Sequence, residues 1–191
     1  MDRIAIRQEG MTLIELVIVV ILVAILATTA IPASRNLIDA SQNRAEVHDL
    51  IGFFNSGRRE AILAGKIYTL CPIDSITQTC GRDWNQPIYL FEDPDGDRNM
   101  AAGTRTTRVL APPERGQLIV RSLTRSYFQF RPDGRIRGDL GNITWCPDSG
   151  NPTQAAHLII SQGGRIRLAE DLDGDNIVDK ADGTGVSCNA P

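Results

Sequence analysis

Histidine and aromatic residues are scarce in this chain, which has two histidines and 5% aromatics in 191 residues. His48 and His157 stand far apart, and no Ser or Cys in a nucleophile-like turn accompanies either. A hydrolase therefore lacks its usual constellation, and both histidines read as surface or core residues rather than catalytic ones. Trp84 and Trp145 read as packing residues. An excess of positive charge is also missing: the formal net charge is -3 and the pI is near 5.4. That excludes an overall cationic nucleic-acid binder, so any polyanion contact must come from a local cluster. No Cys-x-x-Cys pair occurs, which disfavours zinc and thioredoxin-type chemistry. At this length one core is expected, with room left for an anchoring segment.

What is present is unevenly spread. From Leu13 to Ile31 the only strongly polar side chain is Glu15. At roughly 1.5 Å per residue such a stretch spans about 30 Å as a helix, the thickness of a bilayer's hydrocarbon core. Before it, residues 1–10 are short and carry Arg3 and Arg7; after it no small-residue cleavage site follows, so the apolar run is expected to stay on the protein. Positive charge ahead of the run orients the N-terminus inward and the bulk of the chain outward. Four cysteines, Cys71, Cys80, Cys146 and Cys188, all lie beyond it and point to disulfides in an oxidising compartment. Three connectivities are open, and nearest-neighbour pairing, Cys71 with Cys80 and Cys146 with Cys188, is the expectation.

Past Pro32, whose ring can kink a helix, apolar residues recur at helical spacing at Leu37, Ala40, Val47, Leu50, Phe54 and Ala61. One helix is expected from Met11 to Ala64, with Gly65 as its C-cap. Beyond Lys66, short strand-like runs alternate with turn residues: Ile67 to Cys71, Ile88 to Phe91, Leu118 to Val120, Tyr127 to Phe130, Leu158 to Ser161 and Arg165 to Leu168. Residues Asn99 to Pro113 have little apolar content and read as a long mobile loop. The fold class is thus α+β, a long helix on antiparallel β structure.

The segment Gly10-Met11-Thr12-Leu13-Ile14-Glu15-Leu16, its basic leader and Pro32 resemble the type III signal of type IV pilins and type II secretion pseudopilins. Most members have Phe where this chain has Met11. The resemblance implies a type IV pilin-like fold in three parts: a leader over 1–10, a transmembrane and assembly half-helix over 11–35, and a globular domain over 36–191. It implies that a prepilin peptidase cuts after Gly10 and methylates Met11. Glu15 then becomes the fifth residue. A carboxylate at the bilayer centre costs on the order of 2.5–3.5 kcal/mol, so pairing with the N-terminal amine of a neighbouring subunit is favourable and makes Glu15 and Pro32 assembly residues. Further along, Gly57 to Ile62, Thr69-Leu70-Cys71-Pro72, Trp84 to Phe91 followed by Asp93, Phe130 to Gly134, and Gly164-Arg165-Ile166-Arg167 together resemble the GspH/FimT group. The tail from Ala169 to Pro191 lies beyond these motifs.

Two arginine pairs share one setting, Gly134-Arg135-Ile136-Arg137 and Gly164-Arg165-Ile166-Arg167. Residues two apart on a strand share a face, so each pair can act as a phosphate clamp. On charge pattern alone an amphipathic strand with an arginine face is the simpler account. Resemblance to FimT-like pilins that bind DNA through a Gly-Arg-x-Arg element implies double-stranded DNA contact at Gly164, Arg165 and Arg167, with Arg135 and Arg137 beside them. The acidic tail opposes it. Aspartates alternate at Asp93 to Asp97 and at Asp171, Asp173, Asp175 and Asp179, resembling the start of a calcium loop. The full EF-hand pattern fails, and a solvated turn is favoured in both places, with no cofactor otherwise expected.

The expectation is a minor pilin, not an enzyme, made in the inner membrane with a periplasmic domain and then carried on the pilus. Its partners are other major and minor pilins, the prepilin peptidase and double-stranded DNA. The alternative is a pseudopilin of type II secretion acting in protein export.

Overall fold

The computed structural model describes residues 12–100, 103–122, 126–138 and 141–189, with side chains at 27, 29–37 and 122 left aside. Gly10 and Met11, the leader cleavage and methylation positions, lie outside the described residues. Among the described residues a helix α1 (Leu13–Ala64) is followed by eight strands, with a short 3-10 turn (Pro152–Gln154) between the sixth and the seventh. The chain divides into two units, Met1–Gln42 and Asn43–Pro191.

In the first unit α1 begins where the Thr12 hydroxyl accepts a bond from the Glu15 amide at 3.3 Å, which satisfies one orphan N–H of the first turn. Glu15 also places its carboxylate at the positive end of the helix dipole. The large apolar side chains from Leu13 to Leu26 are exposed. Among the described residues no helix is long and apolar enough to cross a membrane. The apolar run of the sequence goes on to Ile31 through residues whose side chains are not described, and α1 continues through Pro32.

In the second unit α1 ends at Gly65, whose φ of +65° is the left-handed conformation a C-cap requires. Val47, Leu50, Phe54 and Ala61 recur at helical spacing and are buried with Phe53. Gly57 allows the close approach: a Cβ there would stand 2.9 Å from Leu70 Cδ1 and 3.2 Å from Phe130 Cδ2.

The strands are β1 (Tyr68–Pro72), β2 (Ile88–Glu92), β3 (Thr106–Leu110), β4 (Gly116–Ser122), β5 (Phe128–Phe130), β6 (Gly141–Pro147), β7 (Ala156–Ile160) and β8 (Ile166–Leu168). They form two antiparallel sheets, ordered β3-β2-β1-β5 and β4-β6-β7-β8. The long loop expected over Asn99 to Pro113 is corrected here: it contains β3, an edge strand paired with β2. Its side chains are almost all exposed, so it carries no apolar alternation to read. Strand β6 had no place among the expected runs for the opposite reason. It lies between β4 and β7 and is covered on both faces. Ile143 and Trp145 enter the main core, while Cys146 enters a second cluster with Ala155, Val186 and Cys188.

That second cluster explains the tail. Disulfides join Cys71 to Cys80 and Cys146 to Cys188, each with Cα atoms 5.5 Å apart. The second holds Cys188 against β6, and Val186 and Ala155 are buried with it. His157 lies under this cover, 2% exposed, with Nδ1 2.8 Å from the Thr144 hydroxyl. Glu46, on α1, fastens the helix to the far strands: Oε1 accepts from the amides of Glu114 and Arg115 at 3.0 and 3.1 Å, and Oε2 accepts from Trp145 Nε1 at 2.9 Å.

Candidate nucleic-acid interface

Strand β5 runs into a tight hairpin over residues 129–137. Arg137 N donates to Gln129 O, Arg131 N to Arg135 O and Gly134 N to Arg131 O, each at 2.8 Å. Phe130 and Ile136 bridge each other and are buried, 0% and 6% exposed. Alternation then puts Arg131, Arg135 and Arg137 on the opposite, exposed face. The bend is set by Asp133, whose Oδ1 accepts from Arg135 N at 3.0 Å, and by Gly134 at φ +75°.

The second arginine pair is built alike. Between β7 and β8 a turn closes with Ser161 N to Arg165 O and Gly164 N to Ser161 O, both 2.9 Å, and Gly164 has φ +73°. Ile166 is partly buried against the main core while Arg165 and Arg167 are exposed, the alternation a strand requires.

The two turns touch, which sequence reasoning missed. A Cβ on Gly164 would collide with the Gly134 carbonyl oxygen, so only glycine admits the contact. Ile136 N donates to Gln162 O at 3.2 Å, and Arg58 Nε on α1 donates to Gly134 O at 3.0 Å. Both glycines are buried. Thirty residues apart in sequence, Gly134 and Gly164 thus bring Arg135, Arg137, Arg165 and Arg167 onto adjoining turns. The shared Gly-Arg-Ile-Arg wording was the available signal, but nothing in it says that the copies meet.

The aspartate turns are less alike than their sequences. Asp93, expected in a solvated turn, is instead 3% exposed. Its Oδ2 accepts from Thr69 Oγ1 at 2.6 Å, Gln129 Nε2 at 2.9 Å and Arg98 N at 3.2 Å, and its Oδ1 from Asp97 N at 3.0 Å. These bonds explain how a carboxylate sits there. In the tail, Asp171, Asp173 and Asp179 bring one oxygen each within 4.8 Å of one another. Asp175 stands apart from them, its Oδ1 accepting from Ile177 N at 2.7 Å. Backbone N–H bonds from Gly174 and Asn176 hold the Asp171 carboxyl below its ordinary pKa of 3.8. Three carboxylates supply only part of the six to eight oxygens that calcium takes.

A family model for the type II transport protein GspH matches residues 46–164, and one for the prokaryotic N-terminal methylation motif matches residues 6–31. The first match ends at Gly164, so Arg165, Arg167 and the stapled tail fall beyond it. No curated protein matches the chain significantly. Among solved structures, type IV minor pilin FimU of Pseudomonas aeruginosa is similar at 16% identity and a TM-score of 0.50, over 68% of this chain and 90% of that one. A second crystal form of FimU gives 17% and 0.49, over 66% and 92%. The minor pseudopilin EpsH of the Vibrio cholerae type 2 secretion system gives 13% and 0.47, over 66% and 95%. At such identities the FimU likeness speaks for the fold alone.

Proposed function

We propose that this chain, which belongs to the GspH family of type II transport proteins, is a minor pilin that helps prime a type IV pilus and touches incoming double-stranded DNA. Family membership itself makes it a minor pilin or pseudopilin, a structural subunit that interacts with others of its kind. The methylation motif goes with processing by a prepilin peptidase and with a membrane-anchored pilin that has a periplasmic globular domain. In this reading cleavage after Gly10 leaves Met11 as the methylated first residue. Glu15 then pairs with the N-terminal amine of a neighbouring subunit, and Pro32 shapes the assembly half of the helix.

The observation that carries the DNA reading is the contact between the Gly134 and Gly164 turns. The exposed Arg135, Arg165 and Arg167 on adjoining turns suit a phosphate backbone, because a guanidinium can donate two parallel bonds to one phosphate. Contacts of this kind read no bases, so binding is sequence-independent and weakens steeply with salt. The acidic turn at Asp171 to Asp179 moderates it.

The test is titration of a labelled duplex with residues 43–191 at low and moderate salt, beside the Arg165→Ala, Arg167→Ala variant. This fragment keeps every buried residue of both core clusters, which run from Val47 to Cys188. Salt-sensitive binding that the variant loses supports the reading, and no binding at low salt refutes it for the isolated subunit. The second reading, a pseudopilin acting in protein export by type II secretion, draws on the description of the matching family. Exoprotein release in a deletion strain separates the two.

A further inference from the structure

We infer that Arg58 is the positioning residue of the arginine face: it fixes where the Gly134 turn stands relative to the Gly164 turn, and with that the spacing of Arg135 from Arg165 and Arg167. The inference rests on the DNA reading above and adds to that site a residue supplied by neither turn.

Arg58 and Ile62 lie one helical turn apart near the end of α1, so they share a face of the helix. Both meet the Gly134 turn, since a Cβ on Gly134 would stand 2.7 Å from Ile62 Cδ1 and 3.2 Å from Arg58 Nε. Arg58 Nε donates to Gly134 O at 3.0 Å. The same oxygen is the atom against which Gly164 rests: a Cβ on Gly164 would stand 2.0 Å from it, and 3.2 Å from Arg58 Nε. One guanidinium thus lies against both glycines, and the carbonyl it holds is the point where the turns meet. Directly between the turns runs the bond from Ile136 N to Gln162 O. At 3.2 Å it is at the long end of the N–H···O range, so the seam draws on the helix for its rigidity.

Rigidity matters here because bidentate donation to phosphate is directional. Arginines on separate turns act together on one phosphate backbone only while the turns keep their spacing, and holding that spacing in advance saves ordering cost on binding. Arg58 also brings a positive charge, and among the described residues no carboxylate pairs with it. Position and charge are separable by substitution. Gly164→Ala removes no charge, yet its Cβ meets the Gly134 carbonyl and its φ of +73° disfavours alanine, so it opens the same seam from the other side. Arg58→Lys keeps the charge and one donor, whereas Arg58→Gln loses the charge and shortens the reach to Gly134 O.

The experiment uses the full chain in detergent micelles and reads two quantities, affinity for a fluorescein-labelled DNA duplex at fixed salt and hydrogen exchange of the Ile136 amide. Compared are the wild type, Arg58→Gln, Arg58→Lys, Gly164→Ala, and Arg58→Gln combined with Gly164→Ala. Arg58→Gln and Gly164→Ala should each weaken binding by about tenfold, the loss of one charge-assisted contact. Because both break one contact, the double variant should bind no more weakly than the weaker single. In each, the Ile136 amide should exchange faster while amides of the central strands β2 and β6 keep their rates, and Arg58→Lys should retain most of the affinity and the slow Ile136 exchange. Wild-type affinity in Gly164→Ala, or losses that add in the double variant, overturns the inference. So does an Arg58→Lys variant that binds normally while Ile136 exchanges as fast as in Arg58→Gln, since charge alone then matters. Faster exchange throughout the strands would mark a general loss of stability and overturn it equally. No binding by the wild type at low salt sinks the DNA reading instead; Ile136 exchange in Arg58→Gln then decides by itself whether Arg58 holds the two turns, faster exchange upholding that hold and an unchanged rate overturning it.

Discussion

Glu46 offers the sharpest test of how, within the second unit, the last part of α1 is held to the strands. Its carboxylate accepts the amides of Glu114 and Arg115 and the indole N–H of Trp145, a residue only 1% exposed. Replacing Glu46 with Ala removes all three bonds at once. The two amides sit in an exposed loop and can turn to water, so their loss is small. The indole N–H has no such recourse, and a buried donor stripped of a charged acceptor costs about 1.5–3 kcal/mol. The whole substitution should therefore cost about 2–3 kcal/mol. For a chain of this size that corresponds to a fall in melting temperature of roughly 4–12 °C. Chemical denaturation of the wild type, Glu46→Ala, Trp145→Phe and the double variant isolates the pair. The Phe background has no N–H to strand, so the cost of Glu46→Ala there should shrink by about 1 kcal/mol or more. An Ala variant within about 0.5 kcal/mol of wild type, or an equal cost in both backgrounds, would refute the reasoning.

Other consequences follow from the same contacts. Replacing Cys146 and Cys188 with Ser opens a loop of sequence separation 42 against 9 for the other bridge. Chain entropy then predicts a loss of about 4 kcal/mol against about 3 for Cys71 and Cys80, read by denaturation, with proteolysis of the tail rising first. Burial lowers the His157 pKa below its ordinary 6.5, aided by Lys180 and partly offset by Asp182. The unfolded chain takes up this proton first, so stability should fall as pH drops below 6.5, and His157→Gln should flatten that window. Hydrogen bonds hold Asp74, Asp171 and Asp182 below 3.8, so their contribution is present above that pH and lost further into acid. Because the tail gathers only three carboxylates, calcium should leave the melting temperature unchanged. A rise abolished by Asp171→Asn and Asp173→Asn would instead add a metal site.

What could be read from the chain was what is local. Helical spacing from Val47 to Ala61 and the stop at Gly65 need no partner to be seen. Turns at Gly134 and Gly164 announce themselves through glycine, and strands such as β2 through their apolar runs. Sequence patterning failed where burial came from distant segments. Strand β6 loses its alternation because the stapled tail covers its outer face, and β3 shows none because it is an edge strand of which only Leu110 is packed on the core. Asp93 resembles a solvated turn residue until Thr69 and Gln129 are seen to close over it. The candidate site shows the same division. Each arginine pair is legible alone, yet the contact that joins them depends on the hairpin after β5 meeting the turn after β7 and on Arg58 reaching from the helix.

The central claim is best tested by transformation, twitching and exoprotein release in a strain deleted for this chain. Complementation uses the wild type or the Arg165→Ala, Arg167→Ala variant. The account predicts that deletion impairs twitching and transformation, that the wild type restores both, and that the variant restores twitching but not transformation. Loss of exoprotein release with pili intact would contradict it and assign the chain to type II secretion.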